Sequence, residues 1–361
     1  MRPQLLDLFE AYRSGRTDFR LSSLAPDRLA WALKMGLGSI LARTCRDDAM
    51  ARHSPQWDAI RAADLEARVV MEEQRDATAE LIEACADRVG ELTLLKGIWL
   101  SEALYPEPHL RPMRDVDVMV EPERVPEVED VLLELGYEPR PEGSADQYRT
   151  HHHTVPYCHP ASGVWVEVHR RLLPARGLYG SDPVFEPHEV RAHLQAAAFR
   201  GLPVKRLSDP MQLLYLAAHW AGSFKAVSGA GGLLVMLDLL AIAPAVDWEE
   251  AIRPLPGTAV ASALLLLLSY LESRGLLVPD ERVMDTLWRS QRSFGRANLG
   301  LLHLLMDLRL ADGRAYGRWV RSRRNLEIVW HTFLRRRPPL LNALALPWYL
   351  IPERWRRAEG R

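Results

Sequence analysis

The sequence predicts an α+β fold, a sheet-bearing core framed by helical regions at both ends. Three observations lead there. Residues 1–85 and 206–312 place apolar side chains every third or fourth position, the helical period. Residues 86–205 instead carry short β-branched runs separated by Pro- and Gly-bearing turns, as strands and hairpins do. Those runs do not alternate regularly with helices, which argues against a repeating βαβ layout. The expected division is a helical region over 1–85, the core over 86–205, a helical domain over 206–312 and an Arg-rich amphipathic tail over 313–361.

Composition sets the bounds. A chain of 361 residues, 48% hydrophobic and 26% charged, can bury a sizeable core. A net charge of -1 gives no global bias toward nucleic acid. Charge is unevenly placed, however: from Arg314 onward there are 12 arginines against 3 acids, so the tail is strongly basic and the rest acidic. The three cysteines, Cys45, Cys85 and Cys158, form no CxxC pair, and reduced thiols in a cytoplasmic protein are expected. The N-terminal MRPQLLDLFEAYRSGR lacks the apolar core of a signal peptide. No run of about 18 apolar residues free of charges and breakers predicts a membrane span.

Along the chain, Pro26–Arg43 and Trp57–Val89 read as helices, the second rich in Ala, Glu and Arg. They carry no catalytic signature and are expected to cap the core. Leu92–Leu95 is a short apolar run ended by Lys96-Gly97. A helix through Ser101–Leu104 stops at Tyr105-Pro106, and a Pro-rich loop leads to a strand over Asp115–Val120. Pro126–Leu135 is an amphipathic helix closed by Gly136, and Tyr137–Arg140 is a short strand. His151–Tyr157 and Val164–His169 read as two strands joined by the turn His159-Pro160-Ala161-Ser162-Gly163, a hairpin signal. Asp209-Pro210 opens a helix. Leu213–Trp220 and Leu233–Ile242 are nearly all apolar and belong in a core. Further helices are expected over Ala259–Arg274 and Glu281–Leu310.

Chemistry concentrates on two strands. Asp115 and Asp117 are two apart, so on a strand both carboxylates project from one face while Val116, Val118 and Val120 take the other. Two like charges side by side repel unless a cation lies between them. A divalent metal meets that need, and oxygen ligands suit Mg²⁺. Glu167 is the third acid, flanked by Val164, Val166 and Val168 on the opposite face and sharing its own with Trp165 and His169. His169 would orient Glu167 or touch substrate; a hydrogen-bonded structural role is the plain alternative. The run His151-His152-His153 has no obvious metal-ligand partners and is expected near the mouth of the site. His219 and Asp238 are expected to be satisfied core residues, Asp238 pairing with His219 or an arginine.

This set resembles the nucleotidyltransferase superfamily of the polymerase-beta type, with its glycine-bearing turn, D-x-D or D-x-E strand and third acid on a later strand. Lys96-Gly97, Asp115-Val116-Asp117 and Glu167 match in order. A closer similarity is to a bacterial family described as uncharacterised nucleotidyltransferases, through Lys96-Gly97, Tyr105-Pro106, Arg111 to Asp117, Gly136-Tyr137 and Glu167-Val168-His169. Leu213–His219 and Asp238 are similar to its downstream features, and the resemblance covers about residues 90 to 245.

The resemblance implies a nucleotidyltransferase-fold mixed β-sheet core. It implies Mg²⁺-dependent transfer of an NMP group from an NTP to an unidentified acceptor (small molecule, peptide or protein), releasing pyrophosphate; Mn²⁺ is the alternative ion. Asp115, Asp117 and Glu167 would be the catalytic, metal-holding acids. Lys96, Gly97, Arg111, Arg114 and His169 would serve the nucleotide. Ile98 follows Gly97 where the superfamily usually has Gly or Ser, so phosphate binding would rest on backbone N–H groups at the helix start, with Lys96 or the arginines. Two other readings stand beside this one: a non-catalytic nucleotide- or partner-binding protein, and an accessory protein whose basic tail contacts a membrane surface or nucleic acid.

Overall fold

The computed structural model describes residues 4–141, 148–149, 151–175, 179–224, 231–290, 299–300, 302–303, 306–307 and 310. The Arg-rich tail, residues 291–298 and several positions between 301 and 309 of the expected Glu281–Leu310 helix lie outside the described residues. The element order is α1 (Gln4–Arg13), α2 (Pro26–Lys34), α3 (Gly38–Thr44), α4 (Trp57–Cys85), β1 (Thr93–Leu94), α5 (Lys96–Leu104), β2 (Val116–Met119), α6 (Val125–Glu134), β3 (Glu138–Pro139), β4 (Tyr157–Cys158), β5 (Trp165–His169), α7 (Pro187–Ala192), β6 (Leu194–Phe199), β7 (Leu202–Leu207), α8 (Asp209–Phe224), α9 (Gly231–Ile242), α10 (Trp248–Ile252), α11 (Ala259–Ser273) and α12 (Glu281–Arg289). This is the α+β fold that the sequence predicts, with a mixed sheet ordered β3-β4-β5-β2-β1-β7-β6.

Alternation builds the centre of that sheet. β2 runs parallel to β5 with Asp117 beside Glu167 and Val118 beside Val168. Val116, Val118, Val166 and Val168 are buried against Leu81 and Ile82 of α4 and Val128 and Val131 of α6. The opposite face of the same strands is left for Asp117, Glu167 and His169. At α6 the C-terminal glycine behaves as its chemistry requires: Gly136 takes φ 85°, which a side chain would strain, and the Tyr137 N–H returns to the Leu132 carbonyl.

The β4–β5 hairpin forms as expected, with the His159 N–H donating 2.9 Å to the Val164 carbonyl across the turn. The strand expected over His151–Tyr157 is mostly absent. His151 and His152 lie in a bend, His153 makes a lone bridge to His169, and regular pairing resumes only at Tyr157. Pro156 has no N–H to give to a ladder.

β6 and β7 form an antiparallel hairpin whose strands carry only a weak β pattern in the sequence. Its two-residue turn, Arg200-Gly201, has φ 50° and 85°, both positive as a type I′ turn demands. Arg200 is held there by an ion pair with Asp76 of α4. Gly201 has open space where a Cβ would stand, so Gly201→Ala meets only the backbone penalty. Loss of about 1 kcal/mol in chemical denaturation is expected, with no change in the site.

The outer helices share a second core. Leu5, Leu8 and Phe9 of α1, Ile40 and Leu41 of α3, Tyr215 and Trp220 of α8, Leu239 of α9 and Leu264–Leu268 of α11 are all buried in one cluster. The N- and C-terminal helices are thus neighbours in space across the sheet-bearing core. Cys45, Cys85 and Cys158 are all free. No helix among the described residues is long and apolar enough to cross a membrane.

Candidate functional site

The face of β2 and β5 not used for packing gathers the expected carboxylates. Asp117 is buried, and each of its oxygens has one cationic neighbour: His169 Nε2 stands 2.7 Å from Oδ1 and Lys96 Nζ 3.6 Å from Oδ2. Asp115 and Glu167 open instead onto a cavity of about 830 Å³. Glu167 keeps 20% of its side chain exposed and lies 3.7 Å from His169 Nε2 and 3.6 Å from His153 Nε2. Asp117, Glu167 and His169 offer ligand atoms within 4.8 Å of one another.

Electrostatics separates the two aspartates. Burial and the neighbouring Asp117 and Glu167 charges push Asp115 from 3.8 up to about 7, with Lys96 and His169 only partly opposing. Burial works against Asp117 too, but Lys96 and His169 outweigh it and hold that carboxyl well below its ordinary value. His169 is fully buried, and burial alone would lower its pKa. Its partners Asp117 and Glu167 reverse the direction. Its Nδ1 faces the Arg171 carbonyl at 3.3 Å and its Nε2 the Asp117 carboxylate, both of which only accept, so the ring carries both protons. Burial likewise disfavours the Lys96 ammonium, yet Asp117 and Tyr215 raise it overall.

The residue types present fit a hard divalent ion. One face of the paired strands carries three carboxylates, and Asp115 is raised to about 7 because Lys96 and His169 only partly offset its burial and the neighbouring charges. Its unshared position on the cavity makes it the oxygen most open to a cation.

The expected nucleotide-side residues divide. Arg114 is exposed on the cavity rim. Lys96 starts α5 with φ 30°, a strained value for a residue with a side chain, and its ammonium lies between Asp117 and the Tyr215 ring, 5.3 Å from the ring centroid. Arg111 departs from the expected place at the phosphates. Its Nε and Nη2 donate at 3.0 and 2.8 Å to the two oxygens of Asp238 on α9, and the Tyr105 hydroxyl donates to the same carboxylate at 2.8 Å. The guanidinium is buried in that pair, because a buried Asp238 needs an opposite charge and Arg111 supplies it in the matching fork geometry.

Arg111 also explains Gly97. A Cβ at that position would meet Arg111 Nη1 at 2.8 Å and Met113 Sδ at 2.8 Å. The glycine lets α5 pack against the Arg111–Asp238 pair, and Ile98 turns inward and is fully buried. Gly97→Ala should therefore displace Arg111 and cost about 1–3 kcal/mol of unfolding free energy in a denaturant titration.

Several cavity residues were not singled out as ligand contacts from the sequence. Val70, Glu73 and Gln74 of α4 form one wall, with the Gln74 amide donating to the Met113 carbonyl at 3.3 Å. Tyr148, His151, His153 and Trp165 form another. Tyr215 sits under Lys96, with His219 one helical turn on and its ring 6.2 Å away. The spacing of Tyr215 and His219 on one helix was the available signal; only the fold shows that they face Lys96. Burial and the nearby Lys96 push His219 down to about 3, so it is neutral at physiological pH.

Comparison with known proteins gives one match. The sequence pattern of a family described as an uncharacterised nucleotidyltransferase fits residues 25–274, a longer stretch than the motifs alone span. No curated protein and no solved structure matches the chain.

Proposed function

The chain belongs to this nucleotidyltransferase family, and on that premise we propose that it transfers a nucleotidyl group from an NTP to an acceptor hydroxyl, with Mg²⁺ held by Asp115, Asp117 and Glu167. The observation that carries this reading is the pairing of Asp117 beside Glu167 on parallel strands, with Asp115 and Glu167 open to one large cavity.

When bound, the ion supplies Lewis-acid stabilisation of charge on the phosphates. The rest is work for the chain's own side chains. His169 and Lys96 fix the Asp117 carboxylate in one orientation by filling its other lone pairs. Arg114, exposed on the cavity rim, would steady phosphate charge, while Lys96, held between Asp117 and Tyr215, would add its positive charge from behind Asp117. Trp165, 36% exposed on the cavity wall, would offer aromatic surface for a flat nucleobase to stack on. The acceptor oxygen would bond to the α-phosphorus as its bond to the bridging oxygen breaks. Pyrophosphate leaves, and Glu167 takes the acceptor proton.

A second reading, a non-catalytic nucleotide- or partner-binding protein, is favoured by one observation: Arg111 and Met113 fill the space in front of Gly97, so the phosphate side has few free donors. Pyrophosphate release decides between the two. With each of the four NTPs, Mg²⁺ and a cell-extract acceptor pool, the catalytic reading expects release that EDTA stops and that falls about a hundredfold or more in Glu167→Gln. No release from any NTP, with Mg²⁺-dependent binding intact, would favour the second reading.

A further inference from the structure

Beside the carboxylates lies a cluster of a different chemistry. The bend at His151–His152 brings three consecutive imidazoles onto one spot, although a regular strand would have sent His152 to the other face. Ring centroids are 4.2 Å apart for His151–His152, 4.2 Å for His151–His153 and 4.7 Å for His152–His153. Each ring offers a nitrogen within 4.8 Å of the other two.

The hydrogen bonding leaves these rings unfinished. The Nδ1 atoms of His151 and His152 are buried with no hydrogen-bond partner. An unmet buried nitrogen is unfavourable, so two on neighbouring rings call for a shared partner. His153 is arranged differently. Its Nδ1 lies 2.7 Å from the Thr154 carbonyl, which can only accept. The proton is therefore on Nδ1, and Nε2 keeps its lone pair. A backbone carbonyl fixing the tautomer in this way is the usual support of a metal-ligating histidine. The free Nε2 stands 3.6 Å from Glu167 Oε2. Two ligands about 2.0–2.1 Å from one tetrahedral ion are about 3.3 Å apart, so the spacing is near that of atoms sharing a metal.

We propose that His151, His152 and His153 bind a borderline d-block divalent ion, with Zn²⁺ the best fit, at a site beside the Mg²⁺-type carboxylates that shares at most Glu167 with them. Imidazole nitrogens select Zn²⁺, Co²⁺ or Ni²⁺ over Mg²⁺, which prefers oxygen. His151 and His153 line the cavity, so an ion on these ligands borders it. Three protein nitrogens leave a fourth coordination position for water, Glu167 or a substrate oxygen. The site requires neither nucleotide binding nor catalysis by the neighbouring carboxylates.

The test uses full-length protein without an affinity tag, stripped with EDTA, exposed to Zn²⁺ or Co²⁺ in millimolar Mg²⁺ and desalted. Elemental analysis should find about one equivalent of Zn²⁺ retained. X-ray absorption on that wild-type sample should show imidazole scatterers, and Co²⁺ should give the visible bands of a low-coordinate nitrogen site. His151→Ala, at the half-buried cavity rim, should lose most of the retained ion, while Asp115→Asn/Asp117→Asn keeps it. Failure of wild type to retain the ion, absorption spectra showing oxygen ligands only, or loss in the aspartate variant with retention in folded His151→Ala would each overturn the proposal. The last two outcomes would assign the ion to the carboxylates, so this test and that of the proposed reaction fail separately.

Discussion

Asp115→Asn is expected to abolish nucleotidyl transfer and, in the metal-free protein, to make the fold more stable. The carboxylate faces Asp117 and Glu167 from a mostly buried position, which raises it from 3.8 to about 7. In the unfolded chain an aspartate loses its proton near pH ~4. Between that pH and about 7 the unfolded state has released a proton that the folded state still holds. Stability therefore falls as pH rises through this window and stays lower above it. The full shift corresponds to at most about 4 kcal/mol, and less in practice because Asp117, Lys96 and Glu167 share the coupled charge. Asn removes the repulsion without losing the shape. Denaturant titrations should show wild type and variant alike near pH 4, and the variant more stable by about 1–3 kcal/mol at pH 8. Mg²⁺ should raise wild-type stability at pH 8 and leave the variant unmoved. Activity should move the other way. Losing a carboxylate from a site that stabilises phosphate charge removes several kcal/mol, about a thousandfold or more in rate. A variant less stable than wild type at pH 8 without metal would show that Asp115 is not the strained member of the pair.

Asp238→Ala is expected to be the most damaging change far from the cavity. Asp238 is fully buried and takes two hydrogen bonds from Arg111 and one from Tyr105. Removing it leaves the buried Arg111 charge without its partner, and such breaks cost about 3–5 kcal/mol. The pair ties α9 to the loop that leads into β2. Arg111 also lies against Gly97, so the substitution should loosen the start of α5 and with it Lys96. A double replacement, Arg111→Met with Asp238→Leu, should recover much of the lost stability, because two apolar groups need no charge compensation. If Asp238→Ala unfolds at the same denaturant concentration as wild type, the pair is not a structural tie.

The carboxylate face of the candidate site was legible in the sequence because its signal is local. Alternation in Val116–Val120 and Val164–His169 puts the acids on one face of each strand, and no distant information is needed for that. Which strand neighbours which is another matter. The pairing of Asp117 with Glu167 follows from the parallel register of β2 and β5, and only the family resemblance brought those strands together beforehand. The Arg111 placement shows the limit most plainly. Its partner lies 127 residues away, and a loop arginine near two aspartates reads the same whether it points into a cavity or away from one. The β6–β7 hairpin is hard to read from sequence because Ala196, Ala197 and Pro203 blur the β signal. The Arg200-Gly201 turn was its readable mark. The histidine run drew attention in the sequence, but its convergence depends on a bend that strand periodicity does not foresee.

The central claim, that Asp115, Asp117 and Glu167 hold the metal through which an NTP is bound, is tested most directly by calorimetric titration of ATP, GTP, CTP and UTP into wild type and Asp117→Asn, with Mg²⁺ and with EDTA. At least one NTP is expected to bind wild type with Mg²⁺, to bind much more weakly with EDTA, and to lose that difference in Asp117→Asn. Equal binding with and without Mg²⁺, or an Mg²⁺ dependence that survives in Asp117→Asn, would contradict it.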